Sequence, residues 1–217
     1  MSKPNIFFLT IDSLRADKIH GSVKTSSTPN LDSIMKNSVY FSQTISSANQ
    51  TGTSLASIFT GQFPITTGLT HFNFSSETKT FFDTLKKNGY YTSGFFPDHD
   101  FFKNLTQNFD EKTLYVYDKI ENWKNLYGGI GDSILGKINH LKNHEPWIFS
   151  VHIMDLHNPS ALSDSFNESE YGETIYERML SSIDSWIGKF YENLDLKNTL
   201  FVITSDHGAY IPLKQIP

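Results

Sequence analysis

The sequence predicts a three-layer α/β/α fold around a mostly parallel sheet. Apolar runs at Ile6–Ile11, Trp147–Met154 and Thr199–Ser205 have the length and the aromatic and β-branched content of strands buried on both faces. Helical patterns alternate with these runs, as βα units require. No internal repeat or low-complexity linker interrupts the 217 residues, which are read as one domain spanning 1–217.

Each element has a local reason. Ile6–Ile11 is the first strand. Thr28-Pro29 opens a short helix, with Thr28 at the cap, Pro29 in the first turn and an apolar stripe of Leu31, Ile34 and Met35. Val39-Tyr40-Phe41 reads as a short strand. A helix is expected from Thr53 to Phe59, ended by Gly61, and another from Thr78 to Lys87, closed by Asn88-Gly89. Tyr90–Phe96 is the next strand, stopped by Pro97. Between Asp98 and Asn125 only strand-like pieces such as Leu114–Tyr117 stand out. Ile130–Leu141 is helical, Trp147–Met154 a buried strand, and Tyr171–Leu194 a long amphipathic helix leading into Thr199–Ser205.

Composition narrows the function classes. Aromatic residues make up 14% of the chain, which argues against disorder. The net charge of −5 provides no basic field for nucleic acid. Arginine occurs only as Arg15 and Arg178, so an anionic substrate must be held by local groups or a metal. The absence of cysteine removes thiolate ligands and a cysteine nucleophile. No apolar run approaches the ~20 residues that span a bilayer. The first strand begins too early for a signal peptide, so no membrane partner and a cytoplasmic location are expected. Oligomeric state is not readable.

Three segments carry chemistry. Ile11 runs into Asp12, and Ser205 runs into Asp206-His207-Gly208. Open α/β sheets bind ligands at the carboxyl ends of their strands. Two carboxylates and an imidazole there suit Zn²⁺ or Mn²⁺, while an oxygen-richer set would suit Ca²⁺ or Mg²⁺. The plainer reading of each Asp is a turn or helix cap. The second segment, Asn49-Gln50-Thr51-Gly52-Thr53-Ser54, places hydroxyls at a helix N-terminus, where free N–H groups and the helix dipole favour an anion. The same hydroxyls are also ordinary caps. In the third, period-two alternation puts His152 and Met154 on one strand face, and Asp155 and His157 at or beyond its carboxyl end. His157 could act on an oxyanion or leaving group, or be a loop histidine.

Taken in order, these segments resemble the sulfatase branch of the alkaline phosphatase superfamily. The resemblance rests on Ile11-Asp12-Ser13-Leu14-Arg15-Ala16-Asp17, Thr28-Pro29-Asn30-Leu31-Asp32 and Thr60-Gly61-Gln62-Phe63-Pro64 with Gly68. It continues through Leu85–Thr92, Asp155-Leu156-His157-Asn158-Pro159, the helix carrying Tyr176 and Asp184, and Thr199–Gly208. It implies an alkaline phosphatase-like sheet, expected here without the family's C-terminal part, and a metal-dependent hydrolase of small anionic sulfate or phosphate esters. A divalent cation (Zn²⁺, Mn²⁺, Ca²⁺ or Mg²⁺) would be held by Asp12, Asp206 and His207, with Thr51 as fourth ligand and nucleophile and His157 on the substrate oxygens.

The departures from the family pattern shift the expected chemistry. Its nucleophile is a Cys or Ser converted to formylglycine, with an Arg four residues on; here the positions hold Thr51 and Leu55. Threonine cannot be converted, so phosphoester or phosphodiester hydrolysis is favoured over formylglycine chemistry. Ser13 stands where a second Asp is common. Gly94-Phe95-Phe96-Pro97-Asp98-His99 replaces a Gly-Lys-x-His motif. These departures keep a catalytically inactive or truncated sulfatase-like domain, acting as a binding module, as the alternative. A phosphomutase or phosphonate hydrolase of the same superfamily is a third reading.

Overall fold

The computed structural model describes residues 3–116, 125–157, 159 and 162–209. In chain order it contains β1 (Asn5–Ile11), α1 (Pro29–Lys36), α2 (Thr51–Thr60), α3 (Pro64–Thr67), α4 (Phe81–Lys87), β2 (Tyr91–Pro97), α5 (Asp100–Leu105), β3 (Glu111–Tyr115), α6 (Ile130–Leu141), β4 (Trp147–Ile153), α7 (Ile175–Glu192) and β5 (Thr199–Ser205). The strands form one sheet in the order β3-β2-β4-β1-β5, and every pairing is parallel.

Strand alternation sends side chains to two cores. Phe7, Leu9 and Ile11 of β1 join Phe149, Val151 and Ile153 of β4 against residues of α6 and α7. The opposite face packs Ile6, Phe8 and Ile148 against Leu55 and Phe59 of α2, Phe82 of α4 and Phe101 and Phe102 of α5. Helices thus cover both faces, giving three layers. The parallel arrangement collects every strand's carboxyl end along one edge, and β1, β4 and β5 lie side by side there.

Several boundaries differ from the sequence expectation. Val39-Tyr40-Phe41 is not a strand, and Val39 and Phe41 are 78% and 74% exposed. Its β-type residues find no pleated, half-buried surface to join, and that fit is what β-propensity measures. The long helix starts at Ile175, because Thr174 and Glu177 close a reciprocal capping box. The helix expected from Thr78 starts at Phe81, with the Asp83 carboxylate accepting the Thr80 N–H at 2.8 Å. α2 begins two residues early, at Thr51. The stretch after Asp98 holds α5 and β3, and β3 pairs with β2 as the sheet edge. Phe101, Phe102 and Tyr115 are buried in the two cores, and Tyr127 packs edge-on against Trp186, so these aromatics serve packing. Tyr117, Trp123 and Asn158 lie outside the described residues.

Candidate metal centre

Asp12 follows β1 directly, and its N–H donates to the Ile153 carbonyl of β4 at 2.9 Å. The chain then turns through Ser13, whose φ of 60° is left-handed, a conformation that costs a residue with a Cβ. Neighbouring groups hold the turn. The Tyr176 hydroxyl donates to the Ser13 carbonyl at 2.7 Å and accepts the Arg15 N–H at 3.0 Å. The Ser13 N–H donates to Asp206 Oδ1 at 3.1 Å, and the Ser13 hydroxyl to Asp12 Oδ1 at 2.6 Å. The residue standing where a second carboxylate would be expected therefore orients the first.

Asp206 follows β5 on the neighbouring strand. Its Oδ1 also accepts the His207 N–H at 2.7 Å. Its carbonyl accepts the Ser54 and Ser46 hydroxyls, each at 2.5 Å, which ties the start of α2 to the end of β5. Thr51 is the first residue of α2. Its hydroxyl donates to Asp12 Oδ2 at 3.0 Å and lies 3.2 Å from His207 Nε2.

The structure thus brings Asp12, Thr51, Asp206 and His207 to one point. Ligand atoms of Asp12, Asp206 and His207 all lie within 4.8 Å of one another. Asp206 Oδ2 is buried without a hydrogen-bond partner and 3.5 Å from His207 Nε2. A sealed carboxylate oxygen with no donor fits a cation ligand, and two carboxylates with an imidazole form a chemically suitable donor set.

The electrostatics are uneven. Burial opposes ionisation of Asp12, but the adjacent His152 ring, the Ser13 hydroxyl and His157 outweigh it and hold the carboxyl well below its usual range. Burial pushes the Asp206 carboxyl up; Asp12 adds to that rise, and His152 and His207 oppose it. Two like charges in a low-dielectric pocket split in this way.

His157 ends a short turn after β4 and lines a cleft of ≈570 Å³ with Ser13, Asn49, Tyr176, His207 and Gly208. It sits on the wall of the site, outside the carboxylate cluster. Four supporting roles escape a sequence reading: Tyr176 on the Ser13 turn, Ser46 and Ser54 on Asp206, and His152 beneath Asp12. Two of them left a signal: Tyr176, on the helix that carries part of the resemblance, and His152, by its inward-facing place on a buried strand.

The model of the sulfatase family matches residues 4–215. The chain belongs to the sulfatase family. Among solved structures it is similar to a protein of the alkaline phosphatase superfamily from Vibrio parahaemolyticus (TM-score 0.72, 20% identity, 97% of this chain and 56% of that one). It is similar to the phosphonate monoester hydrolase of Agrobacterium radiobacter (TM-score 0.72, 14% identity, 95% and 63%). It also resembles the C-terminal periplasmic domain of EcEptC from Escherichia coli, solved in complex with zinc (TM-score 0.68, 14% identity, 96% and 64%). A Haemophilus influenzae protein described as uncharacterized is 24% identical over 207 residues, which are 95% of this chain and 32% of that protein. This sulfatase-family chain therefore spans about a third of that curated relative and less than two thirds of these structures.

Proposed function

We propose that this sulfatase-family chain is the catalytic part of a metal-dependent esterase that hydrolyses small phosphoester or phosphodiester anions, with Thr51 as nucleophile. The observation that carries the reading is the position of the Thr51 hydroxyl, at the first turn of α2 and between Asp12 Oδ2 and His207 Nε2. Asp12, Thr51, Asp206 and His207 would hold the divalent cation. When bound it supplies positive charge that acidifies a hydroxyl and polarises an ester. The fold relatives solved with zinc or named for phosphonate ester hydrolysis support this direction.

The chain's own groups account for the rest. The Thr51 hydroxyl, held by Asp12 Oδ2 at 3.0 Å, gives its proton to water in the cleft as Oγ attacks phosphorus. The Thr51 Oγ–P bond forms as the bond to the leaving oxygen breaks, and His157 protonates that oxygen. Free N–H groups of the first α2 turn face the equatorial oxygens, where charge builds up. Water then attacks phosphorus and releases Thr51 and the phosphate product.

The test is burst kinetics with an aryl phosphodiester in Mn²⁺ or Zn²⁺. Wild type should release about one equivalent of phenol rapidly and form a phosphorylated Thr51 peptide detectable by mass spectrometry. Thr51→Ala should show neither. Unchanged turnover in Thr51→Ala would remove the nucleophile assignment.

A further inference from the structure

We propose that the apolar wall of the cleft beside the carboxylate cluster seats the leaving alcohol of the ester, and that Ile175 selects an alcohol that is uncharged and apolar. The inference rests on the hydrolase reading above, and it adds the class of alcohol and the residue that chooses it.

Ile175 is the first residue of α7, and the backbone on both sides of it is fixed. Before it, Thr174 closes the capping box with Glu177. After it, the Tyr176 hydroxyl donates to the Ser13 carbonyl at 2.7 Å and accepts the Arg15 N–H at 3.0 Å. The apolar stripe of α7, with Tyr176, Met179, Leu180 and Ile183, enters the core. Ile175 belongs to neither core and is 49% exposed. Packing therefore makes no use of its apolar side chain.

A single exposed apolar side chain is ordinary, but this one has company. Ile175 lines the ≈570 Å³ cleft with Leu156, Pro159 and Ala209, and the same cleft reaches His157 and His207. A concave, mostly apolar wall with a few polar groups at one end is the usual make-up of a small-molecule site. In the reaction proposed above, His157 protonates the leaving oxygen. The rest of the alcohol lies beyond that oxygen, against the wall that adjoins His157. Leu156 and Pro159 flank His157 in the chain, and Ile175 extends the same surface.

The wall offers no charge to a charged alcohol. Among the described residues that line the cleft, none is Lys, Arg, Asp or Glu. Arg15, whose Nη1 donates to the Ala209 carbonyl at 3.3 Å, is held bidentately by Asp17 at 2.8 Å, and Lys18 is bound to Glu177 at 2.7 Å. A charged group on the alcohol would give up water here without gaining a partner, which costs affinity. An apolar group covers Ile175 instead and removes apolar surface from water.

The experiment compares two methyl phosphodiesters in Mn²⁺, one releasing para-nitrophenol and the other a carboxylated para-nitrophenol. Each protein is scored by the ratio of kcat/KM for the uncharged phenol over the carboxylated one. The ratio cancels the fraction of active protein, and the intrinsic difference between the two esters is common to every variant. Salt at about 0.1 M screens charges more than roughly 10 Å apart, so the ratio reports on nearby charge. Ile175→Lys should lower it ~3-fold or more, and Ile175→Glu should raise it by a similar factor. Ile175→Ala should raise KM for the para-nitrophenyl ester roughly 5-fold with kcat little changed, the mark of lost uniform binding. A ratio that neither charged variant moves overturns the assignment, and so does an unchanged KM in Ile175→Ala. If wild type cleaves neither ester, the hydrolase reading itself falls; an active wild type with an unmoved ratio removes the wall assignment alone.

Discussion

Gly52→Ala tests how tightly the start of α2 is held. A Cβ at Gly52 would stand 2.5 Å from His71 Nδ1 and 2.6 Å from both His71 Cα and Cβ. Carbon pairs settle at about 3.5–4.0 Å, so the overlap is roughly 1 Å. Part of it falls on backbone, which a rotamer change of His71 cannot relieve. Alanine in place of glycine favours a helix by up to about 1 kcal/mol. Overpacking a fitted contact costs about 1–3 kcal/mol. The backbone clash and the His71–His99 contact, 3.0 Å between Nε2 atoms, argue for the upper part of that range. The expected net loss is ~1–2 kcal/mol, a fall of about 2–8 °C in Tm for a chain of this size. The shift also displaces Thr51 from Asp12 and His207, and a misplacement near 1 Å can cost ~100-fold in rate. Thermal melting by circular dichroism and the phenol burst give the two readouts. A Tm at or above wild type with an undiminished burst would refute the reasoning, because the His71 segment would then be free to yield.

Two further outcomes concern buried carboxyls. Asp184 accepts the N–H groups of Leu31 at 2.7 Å and Asn30 at 3.0 Å and the Asn30 side-chain amide at 2.9 Å, so one side chain of α7 caps α1; Asp184→Ala should cost ~2–4 kcal/mol in urea unfolding, since three donors lose a carboxylate. Burial raises the Asp155 carboxyl to about 7 against the opposing Leu126 N–H. The folded state therefore favours the protonated form. Its contribution is fully present below the unfolded pKa of ~3.9 and is lost as pH rises through about 7, by roughly 4 kcal/mol at most. Asp155→Asn keeps an acceptor for Leu126, so its Tm should exceed wild type at pH 8 and the gap should close toward pH 4. A gap independent of pH would reject the assignment.

Much of the fold was legible because its signals are local. β5 and α6 have their expected bounds, since an apolar run and a helical period each depend on near neighbours. Where helix starts were misplaced, the correcting signals were in the sequence: Thr80-x-x-Asp83 and Thr174-x-x-Glu177 are capping patterns. Val39–Phe41 shows the limit of propensity where no sheet surface receives it. The ends of β1 and β5 could be read as ligand positions because parallel strands deliver their carboxyl ends to one edge. The groups supporting them could not. Tyr176 reaches Ser13 across 163 residues and Ser54 reaches Asp206 across 152, and no pattern of spacing encodes such pairs.

The carboxylate pair is best explained by the task rather than by the stability of the fold. Asp12 and Asp206 are both fully buried, with ligand atoms within 4.8 Å. If both are ionised, their repulsion is about 3 kcal/mol or more at an effective dielectric constant near 20. The charged groups at hand do little to offset it. Arg15 is engaged bidentately by Asp17 at 2.8 Å, and Lys18 is bound to Glu177 at 2.7 Å. The groups that favour the charged carboxylates are the neighbouring His152, His157 and His207 rings together with the Ser13 hydroxyl and the His207 N–H. A fold selected only for packing would fill this edge with apolar side chains, which often stabilise more than buried charges do. Here Ser13 adopts a left-handed turn, and Tyr176, Ser46 and Ser54 are committed to holding two repelling groups together. A cation reverses the sign of that interaction, so the strain makes physical sense as preorganisation for a metal. The same reasoning ranks the outcomes of metal loading: binding should raise the Tm, and by more in wild type than in any variant lacking Asp12 or Asp206.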